Sequence, residues 1–154
     1  MCKIPDMPGR GKVMMEEKVL RMLKEKAFFM GTACNNIPHV RPMRPFVDSQ
    51  NHIWFVSHAK GEKVIEIGIN NRVELCALGD NYEVVRLQGR LVPEQESSTS
   101  SQEIRRDLLQ VLPQGLFSGI DDPEMKVYQF VIEHVIFRDD ENAKIAELNF
   151  KTGR

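Results

Sequence analysis

The spacing of apolar positions changes several times along the chain, and each change predicts an element. From Met14 to Lys26 the apolar residues Met15, Val19, Met22 and Leu23 fall at i, i+4, i+7 and i+8, one face of a helix. Glu16 and Glu17 at its start and Lys24 and Lys26 at its end complement the helix dipole. The stripe suits the capping of an open barrel end, with the methionines as core filler. Residues 1–13 carry two prolines and two glycines and no periodicity, so they read as an arm, leaving 14–154 as one domain.

Phe28 to Cys34 is short, aromatic and β-prone, and Asn35-Asn36 supplies residues that tolerate the left-handed conformation of a tight turn. Ile37 to Val47 then returns antiparallel. Its three prolines, Pro38, Pro42 and Pro45, cannot donate to a ladder, which places parts of it at an edge, a bulge or beside a ligand. Asp48 to Asn51 turns the chain again, and Ile53 to Ser57 adds a third strand, predicting a three-stranded meander.

The period then lengthens. Val64, Ile65 and Gly68 share a face of a short helix running from near Lys60-Gly61 to Asn70-Asn71. Arg72 to Leu78 resumes β character, Gly79-Asp80-Asn81 turns, and Glu83 to Val92 alternates. In that strand Val85, Leu87, Gly89 and Leu91 lie on one side, with Gly89 signalling a bulge or close backbone approach. Ser97 to Ser101 is a polar linker. Ser100 and Glu103 have capping-box spacing before a helix bearing Ile104, Leu108, Leu109 and Leu112, which Pro113 ends. Met125 to Phe137 alternates as a long strand with a break near Glu133-His134. A turn at 139–142 precedes a last strand, Ala143 to Phe150. Six or seven strands in hairpins, without βαβ alternation, predict a mostly β protein and a small antiparallel barrel.

A length of 154 residues fits one domain with a proper core, and 42% hydrophobic with 28% charged residues is ordinary for a globular chain. No apolar run is long enough to span a bilayer, and Cys2 has no signal-type segment behind it, so the expected location is cytoplasmic. Cys2, Cys34 and Cys76 form neither a disulfide framework nor a CxxC pair. The net charge of -1 is unevenly spread: residues 1–63 hold 11 Lys+Arg against 6 Asp+Glu. The cations are dispersed and lack a nucleic-acid motif, which favours a small anionic ligand over DNA or RNA.

Most of the candidate chemistry lies between His39 and Val64. Ser57 and Lys63 flank a helix start, where free N–H groups and the dipole favour an anion, and Arg41 on the neighbouring strand could add a bidentate contact. The same residues also read as solvated surface charges. There is no GxGxxG, Walker lysine motif, GxSxG or HExxH. The four histidines match no zinc spacing, so no metal site is predicted; His39 and His58, which flank the basic segment, are the two to watch.

In order and spacing, FFMGTAC, PHVRPM, IWFVSHAKGEKV, NNRVEL and LQGRLV resemble the pyridoxamine 5'-phosphate oxidase-like flavoproteins, especially their general-stress-protein branch. The resemblance covers Glu16 to Val92, and more loosely Glu124 to Phe137. It implies a six-stranded antiparallel split barrel of Greek-key type, forming a homodimer with one FMN at each interface. It places Arg41 toward the phosphate, has Pro42, Met43 and Arg44 line the isoalloxazine, sets Val56 and Ser57 against the cofactor, and makes Lys63 the phosphate lysine. Gly61-Glu62 stand where the family often has Ser-Arg, with Lys60 as a compensating cation, and Asn70-Asn71 stand where Asn-Pro is familiar. The C-terminal Trp and Arg pair of the true pyridoxamine phosphate oxidases has no match. The implied function is an FMN-dependent oxidoreductase acting on a small substrate, with a reduced nicotinamide as a possible donor. The alternative is a non-catalytic protein that stores or senses flavin or haem.

Overall fold

The computed structural model describes residues 9–97, 100–139 and 144–148. Residues 1–8 of the expected arm, much of the serine linker, most of the 139–142 turn and the end of the last strand lie outside them. Helix α1 (Gly9–Glu25) starts five residues before the expected Met14. It buries Val19, Met22 and Leu23 in the main core. Strands β1 (Phe28–Cys34) and β2 (Ile37–Met43) form a hairpin. Asn35 and Asn36, at φ 51° and 64°, make its turn as their tolerance of that region predicts. Then follow β3 (Phe46–Val47), β4 (Ile53–His58), α2 (Glu62–Ile69), β5 (Arg72–Leu78), β6 (Val84–Pro93), α3 (Ser101–Val111), β7 (Met125–Asp139) and β8 (Lys144–Leu148). Among the described residues, no helix is long and apolar enough to cross a membrane.

The strands form one eight-stranded antiparallel sheet in the order β2-β1-β5-β6-β7-β4-β3, with β8 on β7. Only Arg44 and Pro45 separate β2 from β3, yet those two strands end the sheet on opposite sides. The sheet must therefore curl until its ends meet, which makes a split barrel. This corrects the meander expected from residues 28–57. Pro45 cannot donate to a ladder, the chain leaves β2 at that point, and β4 pairs with β3 and β7 instead of β2. Pro38 and Pro42 sit on β2, an edge strand, where the missing N–H groups cost little.

Alternation decides which side chains enter the barrel. Phe28 and Met30, Ile53 and Phe55, Leu75, Val85, Leu87 and Leu91 point inward and are almost fully buried. Burial stabilises each by about 1.5–3 kcal/mol. On β7 the inward positions are Tyr128 and Phe130, then Val135 and Phe137, so the parity flips between them. The cause is a bulge: Gln88 pairs with His134 and Gly89 with Ile132, leaving Glu133 as the extra residue. Gly89 is required there, because a Cβ would stand 2.1 Å from the Val131 carbonyl oxygen. Both sequence signals, the mid-strand glycine and the break at Glu133-His134, report this one feature.

A second core lies outside the barrel wall. Trp54, Met125 and Val127 from the outer face of β4 and β7 pack beneath Ile104 and Leu108 of α3 and against Phe117. Ser100 is the N-cap of α3, but its side chain makes no capping hydrogen bond, so the expected capping box does not form. The inner face of α2 also differs from expectation. Glu66 and Ile67 are its buried residues, while Ile65 and Gly68 are exposed.

Candidate functional site

Burying a carboxylate beside a β-barrel requires partners, and Glu66 has them. One oxygen, Oε2, accepts hydrogen bonds from Thr32 Oγ1 at 2.7 Å and Arg41 Nη2 at 2.8 Å. Arg41 Nη1 also donates to Thr32 Oγ1 at 3.0 Å, closing a triangle between β1, β2 and α2. Thr32 and His39 are cross-strand partners, so His39 shares this face. Its Nδ1 lies 2.5 Å from Glu66 Oε1, close enough for an ion pair but without hydrogen-bond alignment, and both atoms lack a hydrogen-bond partner. The Thr32 bond, reinforced by Arg41, holds the Glu66 carboxyl below the usual range despite burial.

Lys63 lies on the same short helix, next to Glu62. Its Nζ contacts Met43 Sδ at 3.0 Å, and among the described residues no carboxylate pairs with it. Burial, and then the positive charge of Arg41, pull its ammonium down to about 8 from the ordinary lysine value of 10.5. Two cations thus stand together where α2 begins. The first N–H groups of a helix have no intrahelical acceptor, so this end is suited to an anion.

Met43 joins this corner to a groove of about 770 Å³. Met43, Arg44, Pro45 and Phe46 line it from the strand crossing, Trp54 and Val56 from β4, and Leu108 and Leu112 from the α3 segment. Its volume and mainly apolar walls suit a planar ring system. Three predicted residues, Met43, Arg44 and Val56, line this groove; Lys63 is joined to it only through Met43, with the charge of Arg41 nearby.

The other predicted residues are placed differently. Ser57 follows Val56 on β4, so its side chain points to the opposite, barrel-facing side, where its buried Oγ has no hydrogen-bond partner among the described residues. Pro42 is exposed on the outer face of β2. Lys60 is also exposed, and its Nζ approaches Glu124 Oε1 at 3.9 Å. Glu62 has its carboxylate within 4.8 Å of ligating atoms of both His39 and Glu66. The sequence reading missed Glu66 and Thr32. The available signal was the spacing of Glu66 three residues after Lys63, between Ile65 and the inward Ile67.

The fold is shared with several solved structures. A NimC/NimA family protein from Clostridium acetobutylicum aligns with a TM-score of 0.72 at 19% identity, covering 88% of this chain and 94% of that one. General stress protein 26 from Bacillus anthracis gives 0.64 at 15% identity, covering 87% and 98%. A pyridoxamine 5'-phosphate oxidase-related, FMN binding protein from Nostoc punctiforme gives 0.58 at 17% identity, covering 96% and 100%. No curated protein matches the chain in sequence. The family model described as Pyridoxamine 5'-phosphate oxidase matches residues 15–139, and the chain belongs to that family.

Proposed function

We propose that this chain binds FMN, with the phosphate at the start of α2 and the ring in the adjoining groove, and that it is an FMN-dependent oxidoreductase for a small substrate. The observation that carries this reading is Lys63, a partly buried ammonium beside Arg41 that no carboxylate among the described residues pairs with. A dianionic phosphate would relieve that repulsion. The unpartnered Ser57 Oγ offers a further hydrogen bond on the barrel side of β4. Met43 and Val56 supply apolar wall, and Arg44 supplies a cation at the groove for a reduced, anionic ring. A solved relative described as an FMN binding protein agrees with the cofactor. When bound, the flavin supplies the electron or hydride transfer, while the protein supplies binding and charge.

The same reading includes a homodimer with the cofactor at its interface. The outer face of the β1–β2 hairpin presents Phe29, Val40, Pro38 and Pro42 to solvent, with Val40 70% exposed. Ile65 and Ile69 of α2 are exposed too. A second copy would remove this apolar area from water.

The test is the visible spectrum of the purified chain with added FMN, before and after a reduced nicotinamide nucleotide. Bound flavin bands that bleach support the enzyme. Bound bands that persist favour a flavin carrier, and a Soret band favours haem. A chain that stays colourless after reconstitution overturns the proposal. Val40→Glu should yield monomers in sedimentation; an unchanged dimer would place the interface elsewhere.

A further inference from the structure

The geometry points to a divalent-cation site formed by His39 of β2 and by Glu62 and Glu66 of α2. One ligating atom from each lies within 4.8 Å of the other two. Glu62 and Glu66 are four residues apart, hence neighbours on one helix face, where two carboxylates repel unless a positive group stands between them. Arg41 does not fill that role, because with Thr32 it is bound to Oε2 of Glu66. The other oxygen, Oε1, is turned to His39 and has no hydrogen-bond partner among the described residues, although Glu66 is only 5% exposed. His39 Nδ1 is equally without a hydrogen bond.

Two buried acceptor-type atoms 2.5 Å apart need either a proton shared between them or a small separation that admits a metal ion. Glu62 as a third donor favours the metal. One imidazole nitrogen and two carboxylate oxygens suit a first-row divalent ion such as Zn²⁺ or Mn²⁺. With bonds of about 2.0–2.2 Å and tetrahedral angles the donor atoms stand roughly 3.3–3.6 Å apart, so His39 Nδ1 and Glu66 Oε1 would part by about 1 Å to take the ion. His39 and Glu62 reach solvent, which leaves room for water as a further ligand. Thr32 and Arg41 complete the arrangement by fixing the Glu66 carboxylate from behind, as outer hydrogen bonds do in metal sites. Histidine spacing could not reveal the site, because its donors come from a strand and a helix that meet only in the fold. It does not depend on the flavin reading.

The experiment is calorimetric titration of the untagged, EDTA-treated chain with Zn²⁺ and with Mn²⁺, alongside His39→Gln and Glu62→Gln. Both positions reach solvent, so these variants should keep the fold, which circular dichroism checks. The expected result is one ion per chain for at least one of the two metals, weakened by about tenfold or more in each variant. A wild-type chain that binds neither ion overturns the inference. So does binding that survives either substitution unchanged.

Discussion

Among the described residues, two arginine–glutamate pairs have a buried glutamate, and they are built to opposite ends. Arg105 of α3 faces Glu94, which is 2% exposed. Its Nε and Nη2 hold that carboxylate at 2.8 and 2.5 Å. Its remaining donors go to the carbonyls of Ile120 at 2.7 Å, Met125 at 2.8 Å and, more distantly, Asp122 at 3.4 Å. Every donor of the guanidinium has an acceptor, so the pair clamps α3 to the loop before β7. Arg41–Glu66 is left open: among the described residues Glu66 Oε1 and His39 Nδ1 lack hydrogen bonds, and Lys63 contacts only the Met43 sulfur. A closed network stabilises a fold, and an open one marks the place where a ligand completes it.

The largest test of this contrast is Arg105→Ala. Removing one partner of a buried pair leaves an uncompensated charge, so unfolding stability in urea should fall by about 3–5 kcal/mol. A loss below about 1 kcal/mol would mean the clamp is not structural.

The open end should show itself in pH. Between about pH 8 and 10.5 the unfolded chain keeps a proton on Lys63 that the folded chain has released. The unfolded state then binds more protons, so stability of the flavin-free chain should rise with pH across that window, and the penalty is fully present below it. Lys63→Met should remove this increment. Identical pH profiles for the two chains would mean that Lys63 keeps its proton in the folded chain across this window.

The smallest expected effect is Ser100→Ala. Because Ser100 makes no capping hydrogen bond and α3 is held by Arg105, the change should stay within about 0.5 kcal/mol, where a working cap costs about 1. A full capping loss in thermal unfolding would move the anchoring of α3 to its N-terminus.

Much of this was legible in the residues. β-prone composition marked β1 and β5 and alternation marked β6, all nearly to the residue, and Asn35-Asn36, Gly89 and Glu133 marked the turn and the bulge. Pairing partners were not legible, because no local pattern tells β4 to choose β7 over β2; the crossing at Arg44-Pro45 is settled by contacts far apart in sequence. The inner face of α2 was misread for a related reason. A glutamate in a helix reads as solvent-facing, and Glu66 is buried only because Thr32 and Arg41, 34 and 25 residues away, satisfy it. The same distance hid the site: Lys63 and Met43 could be named singly, but their contact, and the one between His39 and Glu66, exist only once β2 lies beside α2.

In the proposed complex the start of α2 holds the phosphate of FMN through Lys63. This contact is tested most directly by titrating wild-type and Lys63→Ala chains with FMN and with riboflavin, which lacks the phosphate, following the quenching of flavin fluorescence. The substitution should weaken FMN by about tenfold to a hundredfold, the size of a charged hydrogen bond, and leave riboflavin nearly unchanged. Equal losses for the two flavins, or none for FMN, would contradict the contact.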